Sequence, residues 1–294
     1  MQPEIQPTLS VVFAATHDSP TLRTALQRHR EALADVGGEL LIADGSPDGL
    51  TPDVPTVIHM PGADVFALRA AAVKLARAPI VAFTEDHCLP VAGWHEAILR
   101  AHAEHENVVA VGGAVLNGST EHVIDWANFL MTFGPFLPPL PPRNLGRPSP
   151  AANLSFKREL LAEYEFTPGQ LELEILPHLN RIGQLVLDDR IRIEHVQSHG
   201  HLSTVGHHFH NGRTTASLPR RSPPVRERIV RAAHTLILPF LLVSHVLGEM
   251  RRKTGFRRSA LRATPFIMLL AFAHATGEMV GLFFGPGTSP ERLE

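Results

Sequence analysis

The chain has 294 residues, of which 44% are hydrophobic and 19% are charged. This composition excludes wholesale disorder and provides enough apolar side chains for one large domain or two small ones. Cys88 is the only cysteine, so an internal disulfide is excluded, which fits a reducing compartment. The first residues lack a basic segment followed by a long apolar run, and this predicts no secretory signal.

Charge is distributed unevenly along the chain. Residues 1–218 hold 15 Lys or Arg and 24 Asp or Glu, whereas residues 219–262 hold 11 Lys or Arg and only two acids. The formal net charge of −2 therefore hides an acidic part and a strongly basic part. We expect these two parts to meet different environments.

The first fifty residues predict a strand, a helix and a second strand. Residues 9–15 form an apolar run typical of a buried strand, and either Asp18 or Ser19 can cap the helix that follows. Residues 39–43 form the second strand. A strand–helix–strand of this length predicts a parallel pair with a right-handed crossover. That connection places Asp44 at the carboxyl edge of the sheet, beside the loop after the first strand.

A second apolar run, Ile80 to Phe83, ends in Glu85, Asp86 and His87 before Pro90 stops regular structure. Ligands of open parallel α/β sheets bind outside the carboxyl ends of the strands. Carboxylates suit Mg²⁺ or Mn²⁺, and imidazole tolerates Mn²⁺ better than Mg²⁺. The turn is therefore a candidate metal site, with a solvated acidic turn as the alternative.

The second half of this region predicts further regular elements around a long loop. Residues 117–136 carry aromatic side chains at helical spacing, which favours a core-facing helix over an aromatic sugar platform. Residues 136–150 contain six prolines, which exclude regular structure and predict a long loop of the kind that is often functional. Asn153 and Ser155 face one way on a short strand that precedes a helix from Arg158. The other predicted elements are strands at 56–59, 108–111 and 190–196, and helices at 66–78 and 94–105.

Five segments in this order resemble the family 2 glycosyltransferases of bacterial type, which have the GT-A fold. These segments are Ser10-Val11-Val12, Asp44-Gly45-Ser46-Pro47-Asp48-Gly49, Leu68-Arg69, Glu85-Asp86-His87-Cys88-Leu89-Pro90 and Gly93-Trp94. The resemblance covers roughly residues 8–215. It implies an α/β fold: a Rossmann-like, mixed but mainly parallel sheet flanked by helices, followed here by a C-terminal pair of apolar helices.

The resemblance also implies a nucleotide-sugar site. Glu85, Asp86 and His87 correspond to the acidic metal motif, although His87 stands where the family usually has Asp. They would position Mn²⁺ or Mg²⁺ on the donor diphosphate. The residues implied in binding the donor nucleotide are Ala15, Thr16, Asp44, Ser46, Arg69 and Arg213.

On the acceptor side, the resemblance implies that Asn153 and Ser155 lie below the transferred sugar. It aligns Glu172 with the catalytic base, and Glu174 is the alternative. Leu171 replaces the acid that usually precedes the base.

A run of histidines follows the last predicted strand: His195, His199, His201, His207, His208 and His210. A zinc site, the completion of the divalent-metal site by one of the first three, and ordinary polar packing all remain open.

Two long apolar stretches close the chain, at residues 229–250 and 263–285. Each approaches the length needed to span a bilayer. The loop between them is strongly basic, and exporting it would oppose the positive-inside tendency. We therefore favour two helices that lie in the membrane interface, with true spans and soluble packing as the alternatives.

We predict a catalytic domain at residues 1–218 and a basic linker with membrane-associated helices at residues 219–294. The predicted function is inverting, metal-assisted sugar transfer from a nucleotide-diphosphate sugar to a hydroxyl acceptor. The expected acceptor is a glycan or lipid-linked envelope precursor, at the cytoplasmic face of the inner membrane or in the cytoplasm, and nucleic acid is not an expected partner. The alternatives are a catalytically silent, membrane-associated protein that binds nucleotide sugars, and an unrelated doubly wound nucleotide-binding domain.

Overall fold

The computed structural model describes residues 6–50, 58–63, 65–141, 151–163, 175–197, 200–217, 225–289 and 292. The chain forms two compact units. The first contains residues 1–118 and 136–196, and the second contains residues 119–135 and 197–294. This division differs from the predicted boundary at residue 218, because two helices that precede that boundary pack with the C-terminal pair in the second unit.

The first unit contains a mixed sheet. Among the described residues it has eight strands, in the order β3-β2-β1-β4-β7-β6-β8-β5. Strand β7 is antiparallel to both β4 and β6, and β5 is antiparallel to β8; the other neighbours are parallel. The strands are β1 (Leu9–Ala15), β2 (Glu39–Asp44), β3 (Ile58–His59), β4 (Ile80–Glu85), β5 (Cys88–Pro90), β6 (Ala110–Asn117), β7 (Leu154–Lys157) and β8 (Leu185–His195).

Helices cover both faces of this sheet. Side chains alternate along β1, so that Val12 packs in one apolar cluster with Leu68, while Phe13 packs in another with Leu22 and Leu26. Every residue of β1 is buried, as expected for a central strand between two helical layers. The helices of this unit are α1 (Pro20–Val36), α2 (Val65–Val73), α3 (Trp94–Glu104), α5 (Arg158–Glu163) and α6 (Leu176–Arg181).

The first strand–helix–strand is confirmed in detail. Ser19 caps α1 by accepting a hydrogen bond from the Leu22 amide at 3.0 Å, and Pro20 occupies the first turn. Gly37 ends the helix with a φ of +67°, a conformation that favours glycine. Because β1 and β2 are parallel with Ala15 opposite Asp44, Asp44 lies at the predicted carboxyl edge.

Several predicted boundaries were wrong. Helix α2 ends at Val73 rather than at residue 78, and the predicted 117–136 helix begins only at Val123. The second error arises because β6 continues to Asn117. The last strand starts at Leu185, five residues before its predicted start. Residues 142–150 of the predicted proline-rich loop lie outside the described residues.

The second unit is helical over its described residues. It contains α4 (Val123–Phe133), α7 (His201–Ser217), α8 (Val225–Arg252) and α9 (Arg257–Phe284). Phe129 of α4 is fully buried, in agreement with the core-facing helix that its spacing predicts. Within the described residues, α8 and α9 are the helices long and apolar enough to cross a membrane, judged by length and composition alone.

Helices α7 and α9 approach so closely that glycines form their contact. A Cβ atom added to Gly277 of α9 would overlap the carbonyl oxygen of Phe209 in α7 and would lie 2.9 Å from the Arg213 nitrogen. A Cβ added to Gly212 of α7 would in turn overlap the carbonyl oxygen of His274. The backbones are therefore in direct contact, which side chains larger than hydrogen would prevent.

Candidate nucleotide and metal site

The candidate site lies where β1, β2 and β4 end. Ala14 of β1 pairs with Glu85 of β4, and Ala15 pairs with Asp44 of β2. The three carboxyl ends therefore meet at one edge of the sheet. This is the edge at which open α/β sheets bind their ligands.

His87 lies between two carboxylates. Its Nδ1 atom is 2.8 Å from Asp86 Oδ1, and its Nε2 atom is 3.1 Å from Glu85 Oε2. Burial alone would lower the pKa of His87, but the hydrogen bonds and negative charges of Asp86 and Glu85 outweigh it and raise the pKa to about 10. The imidazole therefore carries a positive charge at neutral pH when no metal is bound.

Arg69 of α2 is buried and forms an ion pair with Glu85. Its guanidinium is 3% exposed, forms an ion pair with Glu85 Oε1, and lies 6.0 Å from the centre of the Phe83 ring. Burial would raise the pKa of Glu85, but Arg69, His87 and His195 hold it well below its usual range. Arg69 thus holds Glu85 ionised, and its predicted contact with the donor stays a prediction.

The first loop is tied to the acidic turn and to the second strand. The Thr16 amide donates a hydrogen bond to Asp86 Oδ2 at 3.0 Å, and the Gly45 amide donates to the Ala15 carbonyl oxygen at 2.8 Å. Ala15, Thr16 and Asp86 are therefore neighbours, and their predicted roles at a donor site stay predictions. The contact joins residues that are 70 positions apart in the sequence.

The Asp44 carboxylate accepts hydrogen bonds from the loop that follows β2. It is 1% exposed, with Oδ1 accepting from the Ser46 amide at 2.8 Å and Oδ2 accepting from the Leu50 amide at 2.9 Å. The Ser46 hydroxyl also donates to Oδ1, and His59 Nε2 donates to the Ser46 carbonyl oxygen at 2.9 Å. These bonds fold the loop after β2 around Asp44, and a nucleotide would have to replace some of them.

Asn153 and Ser155 lie in the interior, each 1% exposed. Asn153 Oδ1 accepts from the Trp94 indole at 2.8 Å, and its amide nitrogen donates to the carbonyl oxygen of Ala114 at 2.9 Å. Ser155 Oγ is 2.9 Å from His102 Nε2. Both side chains stabilise the sheet and its helices in this structure, and their predicted place below the sugar stays a prediction.

The structure brings two side chains to the acidic turn: Cys88, and His195, which is one of the three histidines that the sequence left open as a further metal ligand. Cys88 of β5 pairs with His195 of β8, so both lie beside Glu85 and His87. One ligand atom from each of these four residues lies within 4.8 Å of the others. Cys88 is fully buried, and burial together with the nearby carboxylates raises the pKa of its thiol well above its usual value. The sequence shows Cys88 next to the motif but not the β5–β8 pairing that aligns it with His195.

The remaining predicted residues lie either in the second unit or outside the described residues. Glu172, Glu174 and His199 lie outside the described residues. Arg213 belongs to α7 in the second unit, where its Nε atom donates to the Gly285 carbonyl oxygen at 2.9 Å. His208 is buried in the same unit and lies 2.8 Å from Asn128 Oδ1, an example of the ordinary polar packing that was left open.

Solved structures resemble this chain. The mannosyltransferase PcManGT from Pyrobaculum calidifontis, in complex with GDP-Man and Mn²⁺, has a TM-score of 0.55 at 17% identity over 96% of this chain and 88% of that chain. Glucosyl-3-phosphoglycerate synthase from Mycobacterium tuberculosis, in complex with Mn²⁺, UDP and phosphoglyceric acid, has a TM-score of 0.44 at 18% identity over 68% of this chain and 74% of that chain. No protein-family model and no curated protein sequence matches the chain. Its mixed, mainly parallel sheet flanked by helices therefore confirms the predicted GT-A fold, and membership in family 2 stays a prediction.

Proposed function

We propose that the chain is a glycosyltransferase that moves a sugar from a nucleotide-diphosphate donor to a hydroxyl acceptor. The observation that carries this proposal is the meeting of Thr16, Asp44 and the Glu85–His87 turn at one edge of a GT-A sheet. The fold neighbour PcManGT was solved with a nucleotide sugar and Mn²⁺, which supports the same ligand class here.

Glu85, Asp86 and His87 fit a divalent ion. Their side chains offer carboxylate oxygens and an imidazole nitrogen, which are ligands of such ions, and His87 Nε2 lies 3.1 Å from Glu85 Oε2. A bound ion would neutralise the negative charge that develops on the diphosphate leaving group. Arg69 keeps Glu85 ionised for this role.

The proposed reaction is one inverting displacement. Glu172 takes the proton of the acceptor hydroxyl while the hydroxyl oxygen attacks the anomeric carbon. The bond from that carbon to the diphosphate breaks on the opposite face, and the nucleoside diphosphate leaves with the bonding electron pair. Residues near Thr16 and Ser46 bind the nucleotide, and Arg213 is proposed as a diphosphate contact.

The acceptor that we propose is a lipid-linked or envelope glycan at a membrane surface. Exposed apolar side chains recur along α8 at a helical spacing: Ile229, Val230, Leu236, Ile237, Phe240 and Leu241. Exposed arginines lie near the junction of α8 and α9: Arg251, Arg252, Arg257 and Arg258. An apolar stripe next to basic residues matches the chemistry of an anionic bilayer surface.

A vesicle assay tests the membrane part. The full chain is sedimented with phosphatidylcholine vesicles with and without phosphatidylserine, at low and high salt. We expect binding that increases with the anionic lipid and decreases in the double variant Ile237→Ser/Phe240→Ser. Leu202→Ser is the matched control, because Leu202 is 91% exposed but lies on α7. Equal binding by the double variant and the control would contradict the proposal.

A thermal-shift panel tests the donor site. The full chain is heated with UDP, GDP and TDP and their sugars, with and without Mn²⁺. A ligand at about a hundredfold excess over its dissociation constant stabilises by roughly 2.7 kcal/mol. We expect one nucleotide class to give a metal-dependent shift that Glu85→Ala or Asp86→Ala abolishes. The control Glu31→Ala removes an exposed acid on α1 and should keep the shift.

Two departures from the family pattern motivate one alternative, a catalytically silent protein that binds nucleotide sugars: His87 in the acidic motif, and Leu171 in place of the acid before the base. A transfer assay with extracted membrane lipids as acceptors separates the two functions. For a transferase, Glu172→Gln keeps the donor-dependent thermal shift and loses turnover. Donor binding without turnover by the wild-type chain would establish the silent protein instead.

A further inference from the structure

Cys88 and His195 bring two further ligands to the acidic turn. They are directly opposite each other on the antiparallel strands β5 and β8, so their side chains point to the same face of the sheet. Glu85 and His87 come from the end of β4 and the turn before β5. The His87 and His195 rings are 4.5 Å apart between their centres, at an angle of 78°.

Backbone hydrogen bonds hold His87 and His195, and strand pairing holds Glu85 and Cys88. The Val196 amide donates to the His87 carbonyl oxygen at 2.9 Å, and the Gly118 amide donates to the His195 carbonyl oxygen at 2.9 Å. His195 is also paired with Asn117 of β6, and it therefore sits between two strands. Ligands on paired strands hold their geometry better than ligands on loops.

Asp86 orients His87 toward the other three residues. Its Oδ1 atom is bonded to His87 Nδ1 at 2.8 Å, and its Oδ2 atom accepts from the Thr16 amide. This leaves His87 Nε2 on the side of Glu85 Oε2. A carboxylate bonded to the far nitrogen is the usual partner of a histidine that binds a metal. Asp86, which the proposed function counts among the ligands, thus becomes a positioning residue here, and the ligands are Glu85, His87, Cys88 and His195.

These four residues offer one sulfur, two nitrogens and one carboxylate oxygen. Zn²⁺ and Co²⁺ take such mixed sulfur and nitrogen sets at tetrahedral sites, whereas Mg²⁺ takes oxygen ligands in octahedral geometry. We propose that Cys88 is a metal ligand and that this site selects Zn²⁺ or Co²⁺ over Mg²⁺. The inference rests on the metal site of the proposed function and deepens it. On binding, the thiol of Cys88 and His87 Nε2 release their protons to solvent.

Cobalt spectroscopy tests this directly. The metal-free full chain is titrated with Co²⁺, and the near-ultraviolet charge-transfer band from thiolate sulfur to cobalt is recorded. Because Cys88 is the only cysteine of the chain, this band has a single source. We expect the band in the wild type and its loss in Cys88→Ser. We also expect displacement of Co²⁺ by Zn²⁺ but not by a large excess of Mg²⁺.

Two histidine variants provide the comparison. His195→Gln should weaken Co²⁺ binding at least tenfold, whereas His105→Gln, an exposed histidine, should leave it unchanged. Asp86→Asn should lower the affinity by about 10- to 100-fold, the usual effect of losing the partner of a metal-binding histidine. Circular dichroism confirms that each variant is folded. Should Cys88→Ser fail to fold, the wild-type spectrum still decides the question.

The outcomes separate this inference from the proposed function. Co²⁺ binding by calorimetry without a charge-transfer band overturns the role of Cys88. A Mn²⁺-dependent response to a nucleotide sugar could persist in that case, and the transferase proposal would stand. Absence of any Co²⁺ or Zn²⁺ binding also overturns the inference. If no nucleotide or nucleotide sugar shifts the melting temperature, by contrast, the proposed function is wrong. A cobalt band would then still show that Cys88 binds a metal.

Discussion

Replacing Gly277 by alanine tests the close contact between α7 and α9. The added Cβ would overlap the Phe209 carbonyl oxygen and lie 2.9 Å from both the Arg213 nitrogen and the Phe209 carbonyl carbon. Ordinary contacts of this kind begin at 3.4 Å. Since backbone atoms cannot rotate away as side chains do, the two helices would have to separate.

The expected cost follows from this geometry. Overpacking a core with one methyl group costs about 1–3 kcal/mol, and a backbone clash belongs at the upper end of that range. We therefore expect a loss of about 3 kcal/mol. At roughly 3–4 °C per kcal/mol for a unit of this size, the melting temperature of the second unit should decrease by about 10 °C.

Gly206→Ala is the matched control on α7. A Cβ at Gly206 meets no atom within 4 Å, so alanine should stabilise the helix by about 0.5–1 kcal/mol through its higher propensity. Thermal unfolding followed by circular dichroism measures both variants. A Gly277→Ala protein that melts at or above the temperature of Gly206→Ala would refute the close helix contact.

Two other predictions concern charge. Burial holds the pKa of His95 and of His102 at about 4, below the value of about 6.5 in an unfolded chain. Between these two pKa values the unfolded chain binds more protons than the folded chain, so the free energy of unfolding decreases as the pH is lowered. From pH 8 to pH 5 the expected loss is about 2 kcal/mol for each histidine, which denaturation at the two pH values measures. If this loss is unchanged in His102→Gln, His102 is not its source. Arg69→Met removes the buried cation beside Glu85 and should cost about 3 kcal/mol in urea unfolding, part of which a divalent ion should restore. Arg23→Met breaks an exposed ion pair and should cost less than about 1 kcal/mol; equal losses in the two variants would contradict the buried role of Arg69.

The parts of the fold that the sequence predicts well have local causes. Strand β1, the Ser19 cap, the end of α1 at Gly37 and the position of Asp44 all depend on residues within about one element of each other. The acidic turn is recognisable for the same reason, because an apolar strand leads directly into Glu85 and His87. In such segments the conformation that the local sequence favours is the one that the folded structure requires.

The remaining features depend on contacts between distant residues. The pairing of Cys88 with His195 joins strands that are more than 100 residues apart, and no local pattern specifies it. The burial of Asn153 depends on Trp94 and on β6, although its alternation with Ser155 along the strand is visible in the sequence. Helix α2 ends early although its apolar, alanine-rich composition continues to Ala78. Propensity is a weak guide where tertiary packing decides.

Because Cys88 is buried and is the only cysteine of the chain, the rate at which its thiol reacts can report local opening of the structure. A small thiol reagent reaches this buried sulfur only when the structure around β5 opens. When opening and closing are fast, the labelling rate in native buffer equals the intrinsic rate multiplied by the open fraction. The measurement needs no denaturant and no engineered cysteine. Any ligand that binds only the closed strands slows labelling in proportion to its occupancy. The same thiol therefore reports how often this edge of the sheet opens and what keeps it closed.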